Sequence, residues 1–262
     1  MSFREQVKQS FTRIIPGQGK SPEITGPDPD LPSFLSAENQ RLRETNLELL
    51  EALGAVVDSL SPFTLFHSSQ VAVYGLELAR AMGLSEVEQE RIFRAGLVHD
   101  VGMISMSSAA IAKDKKISDE DYQNLRLHPT IGGEIVGRIQ NLRDLAPLIH
   151  YHHERYDGTG YPDRLAGEEI PIGARVLALA DSLDAMLTER PNRPGHELTS
   201  VMREIKRCSG SQFDPAVVAA FFHVVAEKPT SFFSSSNQSA TTDMLLSTVG
   251  ISSGRVKGML KK

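Results

Sequence analysis

The chain has no tryptophan, a single cysteine and no long apolar run. Each absence narrows what it does. One cysteine, Cys208, excludes an intramolecular disulfide and suits a reducing compartment, so the cytoplasm is the expected location. No stretch approaches the roughly 20 apolar residues of a spanning helix, and the N-terminus lacks a signal-peptide core. Positive charge is not in excess either: 28 Lys and Arg stand against 33 Asp and Glu, a formal charge of −5. A sequence-independent grip on DNA or RNA needs a basic face and is not expected. A small anion held by a few local arginines is compatible with that balance.

What is present is an ordinary soluble composition, 40% hydrophobic over 262 residues, ample for a packed core. Three segments are expected. Residues 1–37 carry a short amphipathic stretch (Phe3, Val7, Phe11, Ile14), then Pro16, Gly17, Gly19, Pro22, Gly26, Pro27, Pro29 and Pro32, which read as a linker. Residues 38–227 form the main domain, opened by a helix over 41–60. In that helix Leu42, Asn46, Leu49, Leu53, Val56 and Leu60 alternate steps of four and three, the spacing of a coiled-coil seam. It either packs on its own domain or also joins two copies into a homodimer. Residues 228–262 are Ser-rich with a basic end and read as a tail.

Between 67 and 227 the pattern is helical throughout. Ser85-x-x-Glu88 is a capping-box signal, and Ser118-x-x-Asp121 opens a helix expected to end near His128-Pro129. Ile172 to Leu187 reads as one long buried helix; two more follow at roughly 196–207 and 214–226, the last opened by Asp214-Pro215. No run alternates as a strand does. The fold class is all-α.

The most informative stretch is His152-His153-Glu154-Arg155-Tyr156-Asp157-Gly158-Thr159-Gly160-Tyr161-Pro162. Paired imidazoles rarely serve a core, because each brings polar nitrogens that are costly to bury unpaired. With His67, His99, Asp100, His128 and Asp181 they make five histidines and two aspartates near helix ends or turns. Such a set converges on one interior site only if cations compensate the carboxylates, and mixed N/O donors suit Fe, Mn, Zn or Ni. Seven donors exceed one tetrahedral ion and fit two ions sharing a carboxylate. The spacing is unlike the helical zinc motif H-E-x-x-H.

From Pro62 to Glu227 the motifs resemble a known family. They are His67-Ser68-x-x-Val71, Gly96-Leu97-Val98-His99-Asp100-Val101-Gly102, His128-Pro129, the His152-to-Pro162 run, Leu165-x-Gly167-Glu168-x-Ile170-Pro171, Ala180-Asp181-x-x-Asp184-Ala185 and Arg190-Pro191. Together they are similar to the HD-GYP domain, a branch of the HD phosphohydrolase superfamily. The resemblance implies an HD-type helical bundle around a two-metal centre that hydrolyses cyclic di-GMP, or a related cyclic dinucleotide, to the linear dinucleotide and GMP. It places His67, His99, Asp100 and Asp181 on one metal and His128, His152 and His153 on the other, with Asp100 bridging and catalytic. Iron or manganese is the expected occupant. Some members add a glutamate one turn before the first histidine and bind a third ion; Phe63 stands there, which points to two. Arg190, Arg193, Asp184 and Tyr161 are expected on the substrate, the arginines as permanently charged phosphate forks.

Departures gather on the substrate side. The family's His-Asp-x-Gly-Lys is here His99-Asp100-Val101-Gly102-Met103, Arg-Pro-Tyr-Arg-Lys is Arg190-Pro191-Asn192-Arg193-Pro194, and Gln70 replaces an arginine. The resemblance assigns the missing lysine to the scissile phosphate. Losing one preorganised donor costs roughly 2.7–4 kcal/mol, about a hundred- to a thousandfold in rate. Slow turnover is the expectation. The alternative is a catalytically weak signalling module that binds the nucleotide or a partner such as a diguanylate cyclase.

Overall fold

The computed structural model describes residues 31–60, 66–106, 118–189 and 195–227. The sequence readings at 1–30, at Phe63, at Arg190 and Arg193, and over 228–262 lie outside them. Among the described residues no helix is long and apolar enough to cross a membrane, and no strand forms beyond an isolated bridge between Ser209 and Phe213.

Nine α-helices carry the described chain: α1 Leu31–Asp58, α2 His67–Ala81, α3 Glu86–Val98, α4 Asp119–Leu125, α5 His128–Gly137, α6 Ala146–His150, α7 Ile172–Leu187, α8 Leu198–Arg207 and α9 Pro215–Glu227, with short 3-10 turns at Val101–Ser105, Gln140–Leu145 and Gly167–Glu169. They fall into two compact units that part between Glu44 and Thr45. One boundary differs from expectation. The first helix starts at Leu31, so Pro32, read as part of the linker, lies in its first turn, where a missing N–H breaks no helical bond. The helix capped by Ser118 ends at Leu125, near His128-Pro129 as expected, and that pair then opens the next helix, where Pro129 is tolerated for the same reason.

Start signals elsewhere act as caps. Ser85 Oγ accepts from the Glu88 amide at 3.2 Å, and Ser118 Oγ from the Asp121 amide at 3.1 Å. Asp214 Oδ1 accepts from the Ala216 amide at 2.7 Å while pairing with Arg175 across to α7.

The core of the larger unit lies between α2, α3 and α7, with α9 closing it against α2 and α7. Leu78, Ile92, Leu177, Leu179 and Phe221 are fully buried there; burying each such side chain contributes about 1.5–3 kcal/mol. Within this unit α1 docks through Leu50 and Val57, while Leu49 and Val56 beside them face outward. Asp58, at the end of α1, is buried and accepts from the Ser68 amide (3.1 Å) and hydroxyl (2.7 Å). That carboxylate caps the start of α2 and so holds the helix turn that carries His67.

Candidate metal centre

Seven side chains from separate elements meet at one end of this bundle. His67 opens α2, His99 caps the end of α3, and Asp100 follows it into the 3-10 turn. His128 opens α5, His152 and His153 follow α6, and Asp181 comes from the middle of α7. Three overlapping triads have donor atoms within 4.8 Å of one another: His67, His99 and Asp181; His99, Asp100 and His152; and His128, His152 and His153. Asp100 faces both ends, with Oδ2 3.6 Å from His99 Nε2 and 3.9 Å from His67 Nε2, and Oδ1 3.2 Å from His128 Nε2.

The backbone aims the rings. His99 Nδ1 donates to the Gly96 carbonyl at 2.8 Å, His128 Nδ1 to that of Leu125 at 2.6 Å and His152 Nδ1 to that of Ile149 at 2.6 Å. Each bond runs to the residue three positions back, a carbonyl left free at a helix end or turn. Each fixes the proton on Nδ1 and turns the Nε2 lone pair inward. His67 does the same through a carboxylate, its Nδ1 lying 2.7 Å from Asp184 Oδ2. Buried His99 Nε2 then has no hydrogen-bond partner among the described residues, and His128 Nε2 lies 3.3 Å from His152 Nε2. Where the proton stays on Nδ1, the inward lone pairs repel one another and lack a proton to share. A cation satisfies all of them at once, so the donor set fits metal ions.

Charge follows the same division. Burial holds His152 well below an ordinary imidazole, helped by neighbouring His153 and His99, and burial pushes His153 down to about 4. Burial also opposes charge on His67, but its hydrogen bonds to the Asp181 and Asp184 carboxylates outweigh it and raise its value well above the usual one. Asp100 resists burial because the surrounding imidazoles keep it ionised. His99 and His152 are sealed at 0% exposure, whereas the Asp100 and Asp181 side chains keep 25% and 19%. The centre therefore opens on the side of the aspartates and His153.

Gly102 is required by a close approach. A Cβ there would lie 2.0 Å from the His128 carbonyl oxygen and 2.7 Å from the Gly132 amide nitrogen. Without that contact the 3-10 turn carrying Asp100 would stand off from α5 and its His128. Gly160 has the same function in the turn after the paired histidines, where a Cβ would meet the Arg155 amide nitrogen at 2.4 Å.

Asp184, expected on the substrate, instead lies behind His67 with its side chain 8% exposed. Tyr161 stacks on His153 at 4.9 Å between centroids and 28° between planes. Met103 packs against the hydrophobic core. Three contributors escaped the sequence reading. Asp58 caps α2; Glu154 is buried, its Oε1 accepting from the Asp163 (2.7 Å) and Arg164 (2.8 Å) amides to tie down the turn; Arg126 sits 4.6 Å over the Tyr161 ring. An acid inside a Gly- and Pro-rich turn was the available signal for Glu154. Nothing in sequence marks Arg126, which reaches Tyr161 from 35 residues away.

Known proteins share this arrangement of elements. The HD domain family matches residues 35–217. The chain is 35% identical over 182 residues to a cyclic di-GMP phosphodiesterase of Thermotoga maritima, covering 69% of this chain and 50% of that protein. It is 37% identical over 183 residues to the cyclic di-GMP phosphodiesterase response regulator RpfG of Xanthomonas campestris, with 69% and 47% covered. To 3'3'-cGAMP-specific phosphodiesterase 3 of Vibrio cholerae it is 32% identical over 172 residues, with 66% and 37% covered. The chain thus spans half or less of the length of these relatives. The crystal structure of a cyclic GMP-AMP-specific phosphodiesterase from V. cholerae superposes with a TM-score of 0.57 at 21% identity, covering 80% of this chain and 54% of that one, a likeness of fold. With both histidine motifs and the Gly-Tyr-Pro turn inside the matched span, the chain belongs to the HD domain family.

Proposed function

We propose that the chain is a metal-dependent phosphodiesterase that hydrolyses a cyclic dinucleotide, cyclic di-GMP or 3'3'-cGAMP, to the linear dinucleotide. The observation that carries this reading is the inward-facing set of seven donors with an unpartnered, buried His99 Nε2. His67, His99, Asp100 and Asp181 would hold one divalent cation and His128, His152 and His153 a second, with Asp100 between them. The imidazole-rich, carboxylate-containing set suits Fe or Mn. Held there, divalent cations would supply charge neutralisation for a phosphodiester and activation of water at neutral pH.

The protein's own groups do the rest. Asp100 spans the two halves, and its open side leaves one carboxylate edge toward substrate and water. Asp184 orients His67, and the three backbone carbonyls orient His99, His128 and His152, so no imidazole reorganises during the reaction. Tyr161 covers His153 at the rim. Arg190 and Arg193 remain proposed phosphate contacts. Met103, packed on the core, offers no donor to the phosphate, which supports a slow enzyme. Outward-facing Leu49 and Val56 on α1 support a homodimer through that helix.

Metal analysis and hydrolysis assays with Mn or Fe under anaerobic conditions test this reading. Wild type should bind about two equivalents and cleave a cyclic dinucleotide, and Asp100→Ala should lose at least one equivalent and all detectable turnover. A wild type holding less than one equivalent, or inert toward both dinucleotides, overturns it.

A further inference from the structure

We propose that Arg126, together with Tyr161, forms an anion-binding subsite for a phosphate of the substrate at the open rim of the centre. The inference rests on the hydrolase reading above and adds a residue that neither the motifs nor the relatives' names assign.

Arg126 closes α4, one residue after the carbonyl that anchors His128 and two before His128 itself. Its backbone is therefore tied to a proposed ligand. Its guanidinium carbon lies 4.6 Å from the Tyr161 ring centroid, and Tyr161 in turn stacks on His153. Two ring contacts thus link the cation to the centre, on the side where Asp100, Asp181 and His153 reach solvent.

Several other arginines of the domain are committed elsewhere. Arg91 pairs with Glu88 and Asp144, Arg155 with Asp157, Arg175 with Asp214 and Arg207 with Glu204. Arg126 has no carboxylate partner among the described residues. Packing does not explain its position either, because α4 buries none of its side chains.

A guanidinium held by an aromatic face keeps its in-plane N–H donors free, and those donors match a phosphate edge. A cyclic dinucleotide carries two phosphodiesters; the proposed cations of the centre would engage one, and a fixed cation at the rim would bind the other. Met103 supplies none. Arg126 is a described cation linked to the centre through Tyr161 and His153, and the exposed Tyr122 on the same short helix adds a ring beside it.

The test uses the full chain loaded with Mn, comparing wild type, Arg126→Ala and Arg126→Lys. Three quantities are read: KM and kcat for cyclic di-GMP and 3'3'-cGAMP, calorimetric affinity for the linear dinucleotide pGpG, and metal equivalents. Arg126→Ala should raise KM and the pGpG Kd about 10- to 100-fold, the loss expected for a charge-assisted hydrogen bond. kcat should change less, metal content should match wild type, and Arg126→Lys should fall between the two. KM and Kd within twofold of wild type overturn the subsite. So does a loss of affinity that tracks a loss of metal in both variants, since Arg126 would then only support His128. A wild type that neither binds nor cleaves a dinucleotide fails at the hydrolase reading itself; an active wild type with an unchanged Arg126→Ala fails here alone.

Discussion

The inner wall of the centre and its outer rim are built by different means. On the wall, His99, His128 and His152 are each fastened to a backbone carbonyl three residues back, and His67 to a buried carboxylate. On the rim, Tyr161 and Arg126 are held by ring contacts, while Met103, where the family carries its lysine, is held by apolar packing on the core. Backbone anchors leave little room for substitution, because changing a side chain without moving the helix end strands a lone pair. Packing contacts tolerate exchange. The departures from the family pattern that fall on the described residues, Met103 and Gln70, spare every anchored histidine. The wall constrains the chemistry and the rim tunes it.

Four changes sharpen or break that contrast. Met103→Lys should raise kcat toward a hundredfold or more, the effect of regaining one preorganised donor; steady-state kinetics showing no gain would mean the slow step lies elsewhere. On the wall, Asp184→Asn removes the charged anchor of His67 and should weaken metal binding about 10- to 100-fold, measured by competition with a chelator. If instead KM alone changes, Asp184 belongs to the rim.

Gly102→Ala attacks the wall through sterics, since its Cβ meets the His128 carbonyl. Overpacking of this kind costs about 1–3 kcal/mol, and each kcal/mol lowers the melting temperature by roughly 2–4 °C in a domain of this size. Calorimetry should show the drop together with reduced metal content.

The smallest effect is a titration. In metal-free protein, burial holds His153 at about 4, below the ordinary imidazole value of about 6.5. A folded value below the unfolded one means the fold favours neutral His153, so its contribution is complete above pH ~6.5 and is lost as pH falls toward 4. His67 and His128 are raised and act oppositely, losing their contribution as pH rises through their folded values. Imidazole NMR should find His153 neutral at pH 5 and His67 charged. A His153 that titrates near 6.5 would mean that burial does not set its charge.

Much of this architecture was readable in advance, because it depends on short-range rules. The capping serines at 85 and 118, the Asp214-Pro215 start and the unbroken run Ile172–Leu187 act within a few residues of themselves. Pro32 misled for a local reason as well: proline density signals a break, yet the first helical turn accepts proline. The donor histidines were visible as a cluster of costly polar residues, and the resemblance sorted them.

Long-range contacts were not readable. Asp184 sits three residues from Asp181, and the chain alone offers no way to tell which of the two faces the centre; the rotation of α7 against α2 puts Asp184 behind His67. Glu154 and Arg126 owe their positions to a folded turn and to a helix end brought beside it. Composition and spacing set which chemistry is available and which segments coil into helices, since both follow from each residue's own character and its near neighbours. Which nitrogen points inward, which acid merely props a ring and which arginine reaches the rim are decided by packing, because they depend on distances between residues far apart in the chain.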